Sequence, residues 1–279
     1  MLRLAALRRL GRKMSEDDTP GYAGQLAYFM LFFMFPFLLF LAALTGLVID
    51  EPATALSTLT ESLRIFLPPE VVGLVEVYID RTLGEAGLFV LFLGILVTLW
   101  TGAAASRALV KAANRAYGVE ESRPLRRLLG ISLLMILGLT LFVGALALVV
   151  LSPRTGGVLQ SVTGLPDFFI GLWNVVRWAI AFLALSLALD VFYYMAPDAE
   201  VSFRWITPGG FAATLLILLA GAALSLYVVN VGRYDQLYGQ VGTLIVMMLW
   251  LYVTAFVLLL GIEINAVLAR GAEEKEAGS

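Results

Sequence analysis

The chain has no cysteine and no histidine. Without cysteine there is no disulfide framework, thiol nucleophile or thiolate metal site, and without histidine the commonest general base and zinc ligand is missing. Most familiar enzyme chemistry is excluded with them. Charge is scarce as well: 14% of the 279 residues are charged and 60% are hydrophobic, against roughly 25% and 45–50% in an ordinary soluble domain. That balance excludes a soluble globular protein. The formal net charge of −2 says little about partners in bulk, because the charges are partitioned along the chain.

What the sequence has instead is long apolar runs. Residues Leu26 to Val48, Gly87 to Leu109, Leu128 to Leu151, Phe168 to Tyr194, Pro208 to Val229 and Thr243 to Ile262 each reach the length of about 20 residues that a bilayer crossing requires. The runs are continuous and lack the period-2 alternation of a membrane barrel. The sequence therefore predicts an all-α integral membrane protein with six transmembrane helices. The first run is too long for a signal-peptide core and no small-residue cleavage pattern follows it, so it is expected to stay in the mature protein.

Lys and Arg are distributed unevenly over the connecting segments. Five precede the first span (Arg3, Arg8, Arg9, Arg12, Lys13) and six lie between the second and third (Arg107, Lys111, Arg115, Arg123, Arg126, Arg127). Residues 49–86 carry only Arg64 and Arg81 beside seven acids, and the two other loops of that side carry Arg154 and Arg233. The positive-inside bias thus predicts both termini in the cytoplasm. Residues 1–19 read as a basic amphipathic segment on the inner leaflet or, equally, as a disordered topogenic tail, 20–270 as the six-helix membrane domain and 271–279 as a cytoplasmic tail. Within 49–86, Leu56, Leu59, Leu63 and Phe66, then Val71, Leu74, Val75 and Tyr78, recur at helical spacing on either side of Pro68-Pro69. This predicts an amphipathic helical hairpin on the outer face.

Charges inside a span are costly, so each is a functional candidate. At 1.5 Å rise per residue, Arg107, Asp190 and Glu263 each lie about 30 Å from the outer end of their span, at the inner interface. With Asn265 nearby they form a candidate inner charged layer. Two readings stand: a gate or ion relay, or a structural lock in which Arg107 pairs with Asp190 or Glu263. Arg177 differs, sitting about 14 Å below the outer end of its span with no acid at matching depth. Asn174 is one turn away and Trp173 and Trp178 flank it, so it reads either as an anion contact or as an arginine snorkelling to the outer interface. The loop Asn230 to Val241 is dense in polar and flexible residues, among them Asp235 and Tyr238. It reads as a cavity lining or as a packed outer cap.

Four segments carry a family resemblance. They are Leu26-Ala27-Tyr28 leading to Phe35-Pro36, Trp100-Thr101-Gly102 followed by Ala113-Asn114-Arg115-Ala116-Tyr117-Gly118 and on to Pro124, Trp205-Ile206-Thr207-Pro208-Gly209-Gly210, and Tyr234-Asp235-Gln236-Leu237-Tyr238-Gly239 with Gly261-Ile262-Glu263-Ile264-Asn265-Ala266. In this order they resemble the YihY/BrkB family of bacterial inner-membrane proteins across residues 20 to 268. The resemblance implies an envelope protein, with export of a lipid or lipid-linked precursor suggested. A label of tRNA-processing ribonuclease attached to the family fits these residues poorly. A nuclease would want a carboxylate cluster or a His/Lys pair on a basic groove, and the single cytoplasmic run Glu16-Asp17-Asp18 reads as a helix start.

The expected function is non-enzymatic: transport or flipping of an anionic lipid or precursor, with Arg177, Asn174, Asp235 and Tyr238 as candidate substrate contacts and the charged layer as the inner gate. A non-transporting envelope scaffold that binds a partner is the alternative. No cofactor or metal is implied, membrane lipids are the expected partners, nucleic acid is not, and a homo-oligomer is compatible with the pattern. No nucleotide-binding loop is present, so transport would use a gradient or run downhill.

Overall fold

The computed structural model describes residues 2–48, 57, 60, 61, 64, 72, 73, 76, 77, 88–143, 167–231 and 240–277. Among them are α1 (Leu2–Glu16), α2 (Thr19–Val48), α3 (Leu88–Tyr117), α4 (Leu125–Val143), α5 (Asp167–Met195), α6 (Pro208–Val231) and α7 (Gln240–Ala277). No strand occurs among the described residues. Each of the six apolar runs is helical over its described residues, and the protein is an all-α integral membrane protein. Five helices hold stretches long and apolar enough to cross a bilayer: Thr19–Leu41, Phe92–Tyr117, Leu125–Val143, Val175–Met195 and Leu244–Gly271. In α6 the corresponding apolar stretch, Pro208–Leu224, is shorter.

Several helices outrun their hydropathic spans, because hydropathy marks the part that lipid tolerates while caps decide where a helix stops. The third helix continues past Leu109 to Tyr117 and ends at Gly118, whose φ of 70° is a left-handed conformation that glycine adopts without strain. Its N–H donates to the Arg115 carbonyl at 3.1 Å and that of Val119 to Asn114 at 3.0 Å, which is a Schellman stop.

The long α7 forms the centre of the bundle, packing on α2, α6, α3 and α1, while α2 packs most extensively on α3 and α5 on α6. Met247, Ala255, Ile262 and Ala266 of α7 are fully buried. At Gly102 of α3, an added methyl would lie within 3.0 Å of Phe33 in α2 and Ile136 in α4, so the missing side chain sets the approach of three helices. Outward faces are apolar: Leu133, Leu137 and Leu141 of α4, one turn apart, are all more than half exposed and suit contact with lipid. Near the chain reversal between α5 and α6, Phe203 meets Tyr194 and Trp205 edge to face, an aromatic group of the kind that sits at a membrane interface.

In the segment 49–86, Arg64 Nη2 lies 3.3 Å from Glu76 Oε1. The apolar stripe expected there, from Leu56 to Tyr78, lies outside the described residues.

Candidate functional site

Polar residues gather where α2 begins, α3 ends, α4 begins, α5 ends and α6 begins. The start of α6 is built by Thr207-Pro208-Gly209-Gly210. Thr207 is the N-cap, its hydroxyl oxygen accepting the Gly210 N–H at 3.0 Å, and Pro208 occupies the first helical position, where its missing donor costs nothing. Asp190 of α5 accepts from the Thr207 backbone N–H at 3.0 Å and from its hydroxyl at 2.5 Å. Asn265 of α7 donates to the Thr207 hydroxyl and accepts the Gly209 N–H, both at 2.8 Å. Three helices are thereby tied through one threonine. The glycines are required by proximity: a methyl on Gly210 would strike the Asp190 carboxylate, and one on Gly209 the Gly261 carbonyl. The hydroxyl of the buried Tyr193 donates to the Leu258 carbonyl at 2.9 Å.

A second clasp joins the α3–α4 elbow to the turn after α5. Asn114 accepts the Asp198 N–H at 2.7 Å and donates to Glu121 at 2.9 Å. Arg123 forms a two-pronged pair with Glu121 at 2.7 Å and donates to the terminal carbonyls of Met195 and Ala196. Asp198 accepts from the Ser122 hydroxyl at 2.6 Å and its N–H at 2.8 Å. The hydrogen bonds from Arg123 hold the Glu121 carboxyl below its ordinary value, and those from Ser122 do the same for Asp198.

Beside the elbow opens a cleft of about 360 Å³ lined by Tyr22, Arg107, Lys111, Asn114, Arg115, Leu128 and the Arg123-paired Glu121, with Val110 and Val119 in its wall. Arg107, Lys111 and Arg115 follow one another at intervals of four along α3 and all three are exposed, forming one cationic stripe. The Lys111 ammonium stands 5.7 Å from the Tyr22 ring centroid, a cation–π contact.

The expected ion-pair lock does not form. Among the described residues Arg107 pairs with neither Asp190 nor Glu263. It lies on the exposed stripe of α3, whereas Asp190 is 1% and Glu263 2% exposed, both turned into the bundle. Asp190 is satisfied by Thr207, and Glu263 Oε1 accepts the Thr19 hydroxyl at 3.1 Å. Depth placed these residues at one height, but helical direction separates them. Asp190 and Asn265 do meet, through Thr207.

Arg177 of α5 stands with its guanidinium carbon 5.6 Å from the centroid of the Trp178 ring. Its Nε is buried and has no hydrogen-bond partner among the described residues. The side chain of Asn174, and all of Asp235 and Tyr238, lie outside the described residues. Among the described residues no three carboxylates gather closely enough to hold a metal ion.

Sequence reasoning missed Lys111, Arg115 and Tyr22 as cleft residues, Thr207 as the shared hub, and Asp17. The spacing of four from Arg107 to Arg115 would have revealed the stripe, and Thr-Pro-Gly-Gly the cap.

The virulence factor BrkB family matches residues 10–279. Over 267 residues the chain is 31% identical to a Bacillus subtilis (strain 168) protein named ribonuclease-like protein YfkH, covering 95% of each. It is 27% identical over 274 residues to a UPF0761 membrane protein of Aromatoleum aromaticum, spanning 94% of this chain but 63% of that one. A UPF0761 membrane protein of Alteromonas mediterranea is 25% identical over 270 residues, 95% of this chain and 88% of that one. No solved structure matches the chain.

Proposed function

The chain belongs to the virulence factor BrkB family, and we propose that it moves an anionic lipid or lipid-linked precursor between the leaflets of the bacterial inner membrane, with both termini in the cytoplasm. The observation that carries this reading is the cleft beside α3. Its cationic stripe of Arg107, Lys111 and Arg115 suits a phosphate group, and Val110, Val119 and Leu128 suit the first part of an acyl or prenyl chain. Arg107 and Lys111 form no ion pair among the described residues, so their charge is free for a ligand. Arg177, whose Nε has no hydrogen-bond partner among the described residues, is the second anion contact, toward the other leaflet. The role is non-enzymatic: the chain supplies binding and passage, and the word ribonuclease in a relative's name carries no residue-level support here.

The test uses the purified protein in vesicles that carry a fluorescent anionic phospholipid in one leaflet. The parent exchanges that lipid between leaflets and leaves a zwitterionic one in place. Neutralising Arg107 and Lys111 together to Gln removes about 1 kcal/mol per cation, hence about a 30-fold loss of affinity for the anionic headgroup. A parent that binds the anionic lipid but exchanges none replaces transport with the scaffold reading.

A further inference from the structure

Next to the basic cleft, where α1, α2, α3 and α7 meet, Glu263 of α7 is 2% exposed. Its Oε1 accepts the Thr19 hydroxyl at 3.1 Å, but its Oε2 is buried with no hydrogen-bond partner among the described residues. The carboxylate lines a chamber of about 10 Å³, the space that the centre of one water molecule needs. Asp17, Thr19 and Tyr22 line the same chamber, and the rest of its wall is apolar: Ala112, Ala116, Leu259 and Ile262.

The charged groups that face this chamber are already engaged with one another. From the α1 side, Lys13 pairs with Asp17. From α3, Arg115 Nε lies 3.4 Å from Asp17 and its Nη2 donates to the Glu16 carbonyl. From α7, Arg270 donates to the Ala116 carbonyl. Tyr22 is the titratable group from α2. Asp17 is thus paired with two cations, whereas Glu263 forms no ion pair among the described residues and feels Lys13 and Arg270 only at longer range. A buried carboxylate oxygen without a hydrogen bond is costly to keep, and a wall of alanine, leucine and isoleucine cannot relieve it.

We propose that Glu263, with Thr19 and Asp17, binds one small monovalent cation, a proton or an alkali ion. The size of the chamber decides the class: a divalent ion such as Mg²⁺ retains several waters, and there is room for about one. When the occupant is a proton, one O–H bond forms at Oε2 and the proton comes from water at this end of the bundle, to which it returns on release. The site also ties α1 to the core, because Asp17 lies in the turn between α1 and α2 while Glu263 lies on α7. It stands whether or not the protein moves lipid.

The full chain in lipid nanodiscs is treated with dicyclohexylcarbodiimide, which modifies protonated carboxyls in apolar sites, and labelling at Glu263 is read by mass spectrometry. One arm raises pH in choline chloride, and the other adds sodium chloride at fixed pH. A severalfold fall of Glu263 labelling with pH in choline alone identifies the proton. A severalfold protection by sodium that choline does not give identifies the alkali ion. Glu263 unlabelled throughout, or labelled equally at every pH and sodium concentration, overturns the site. As a second readout, the melting temperature of the parent shifts in the arm that alters labelling, and in Glu263→Gln, which retains an acceptor for Thr19, that shift disappears. A Glu263→Gln protein whose melting follows pH or sodium as the parent's does also overturns it.

Discussion

The buried carboxylate of Asp190 holds Thr207 by both its backbone N–H, at 3.0 Å, and its hydroxyl, at 2.5 Å. Thr207→Val keeps the shape of the side chain but removes the α6 cap and strips the hydroxyl from Asp190 and Asn265 together. Loss of a cap costs about 1 kcal/mol and leaving buried polar partners unpaired about 1–3 kcal/mol. A thermal melt in detergent should show destabilisation of about 2–4 kcal/mol, with Thr207→Ser close to the parent. Equal melting of the Val and Ser variants would sink the hub.

The glycines at this junction give a sharper contrast. In Gly261→Ala the new methyl meets the Tyr193 hydroxyl and, at 2.9 Å, the Gly209 carbonyl, and backbone cannot step aside. The cost should be about 1–3 kcal/mol. At Gly24 and Gly94, both helical, a methyl meets nothing within 4 Å, so alanine there should be neutral or stabilising by up to about 1 kcal/mol. Melting temperatures of the three variants decide it.

How much of this was legible in the sequence depended on the kind of information needed. Six helices could be read because an apolar run of bilayer length has one structural solution. A common depth for Arg107, Asp190 and Glu263 is what the fixed rise per residue leads one to expect. Azimuth is a separate matter: opposite charge at one height suggests a pair, while the i, i+4, i+8 stripe of Arg107, Lys111 and Arg115 marks an exposed face. Asp17 looked like a residue of a helix start because its partners, Lys13 apart, come from elsewhere in the chain. Thr207 stands within the Trp205–Gly210 motif, yet its role depends on Asp190 and Asn265, 17 and 58 residues away.

The elbow clasp predicts an acid-sensitive joint. Arg123 holds the Glu121 carboxyl, and Ser122 that of Asp198, below the ordinary range. A depressed folded value means that the contribution is fully present above the unfolded value, about 4, and is lost as pH falls through the folded one. Melting temperature followed from neutral pH to about pH 3 should fall for the parent. Glu121→Gln should start lower and fall less; identical pH slopes would count against the clasp.

Orientation rests on eleven Lys and Arg in the two strongest basic segments against four on the opposite side. Alkaline phosphatase fused after Lys275 should be inactive, because the enzyme needs export to fold, and the same reporter fused after Arg154 should be active. Activity after Lys275 would reverse the topology, and with it the leaflet that the basic cleft faces.

Arg177 separates transport from scaffolding at the other end of the molecule. Its guanidinium rests on Trp178 at 5.6 Å, with Nε unpartnered among the described residues. The aromatic contact is worth about 0.5–1 kcal/mol, whereas a charge held within the span carries a cost of its own. Arg177→Leu should therefore insert and melt within about 1 kcal/mol of the parent, while leaflet exchange of the anionic lipid is lost. Arg177→Lys keeps the charge but not the planar fork that matches phosphate, so exchange should persist at a reduced rate. The readouts are lipid exchange in vesicles and, separately, the melting curve. If Arg177→Leu exchanges anionic lipid as the parent does, the residue is an interfacial anchor, and the cleft at the basic end is left as the support for transport. If Arg177→Leu instead fails to insert, its charge serves assembly in the membrane, not passage of a ligand.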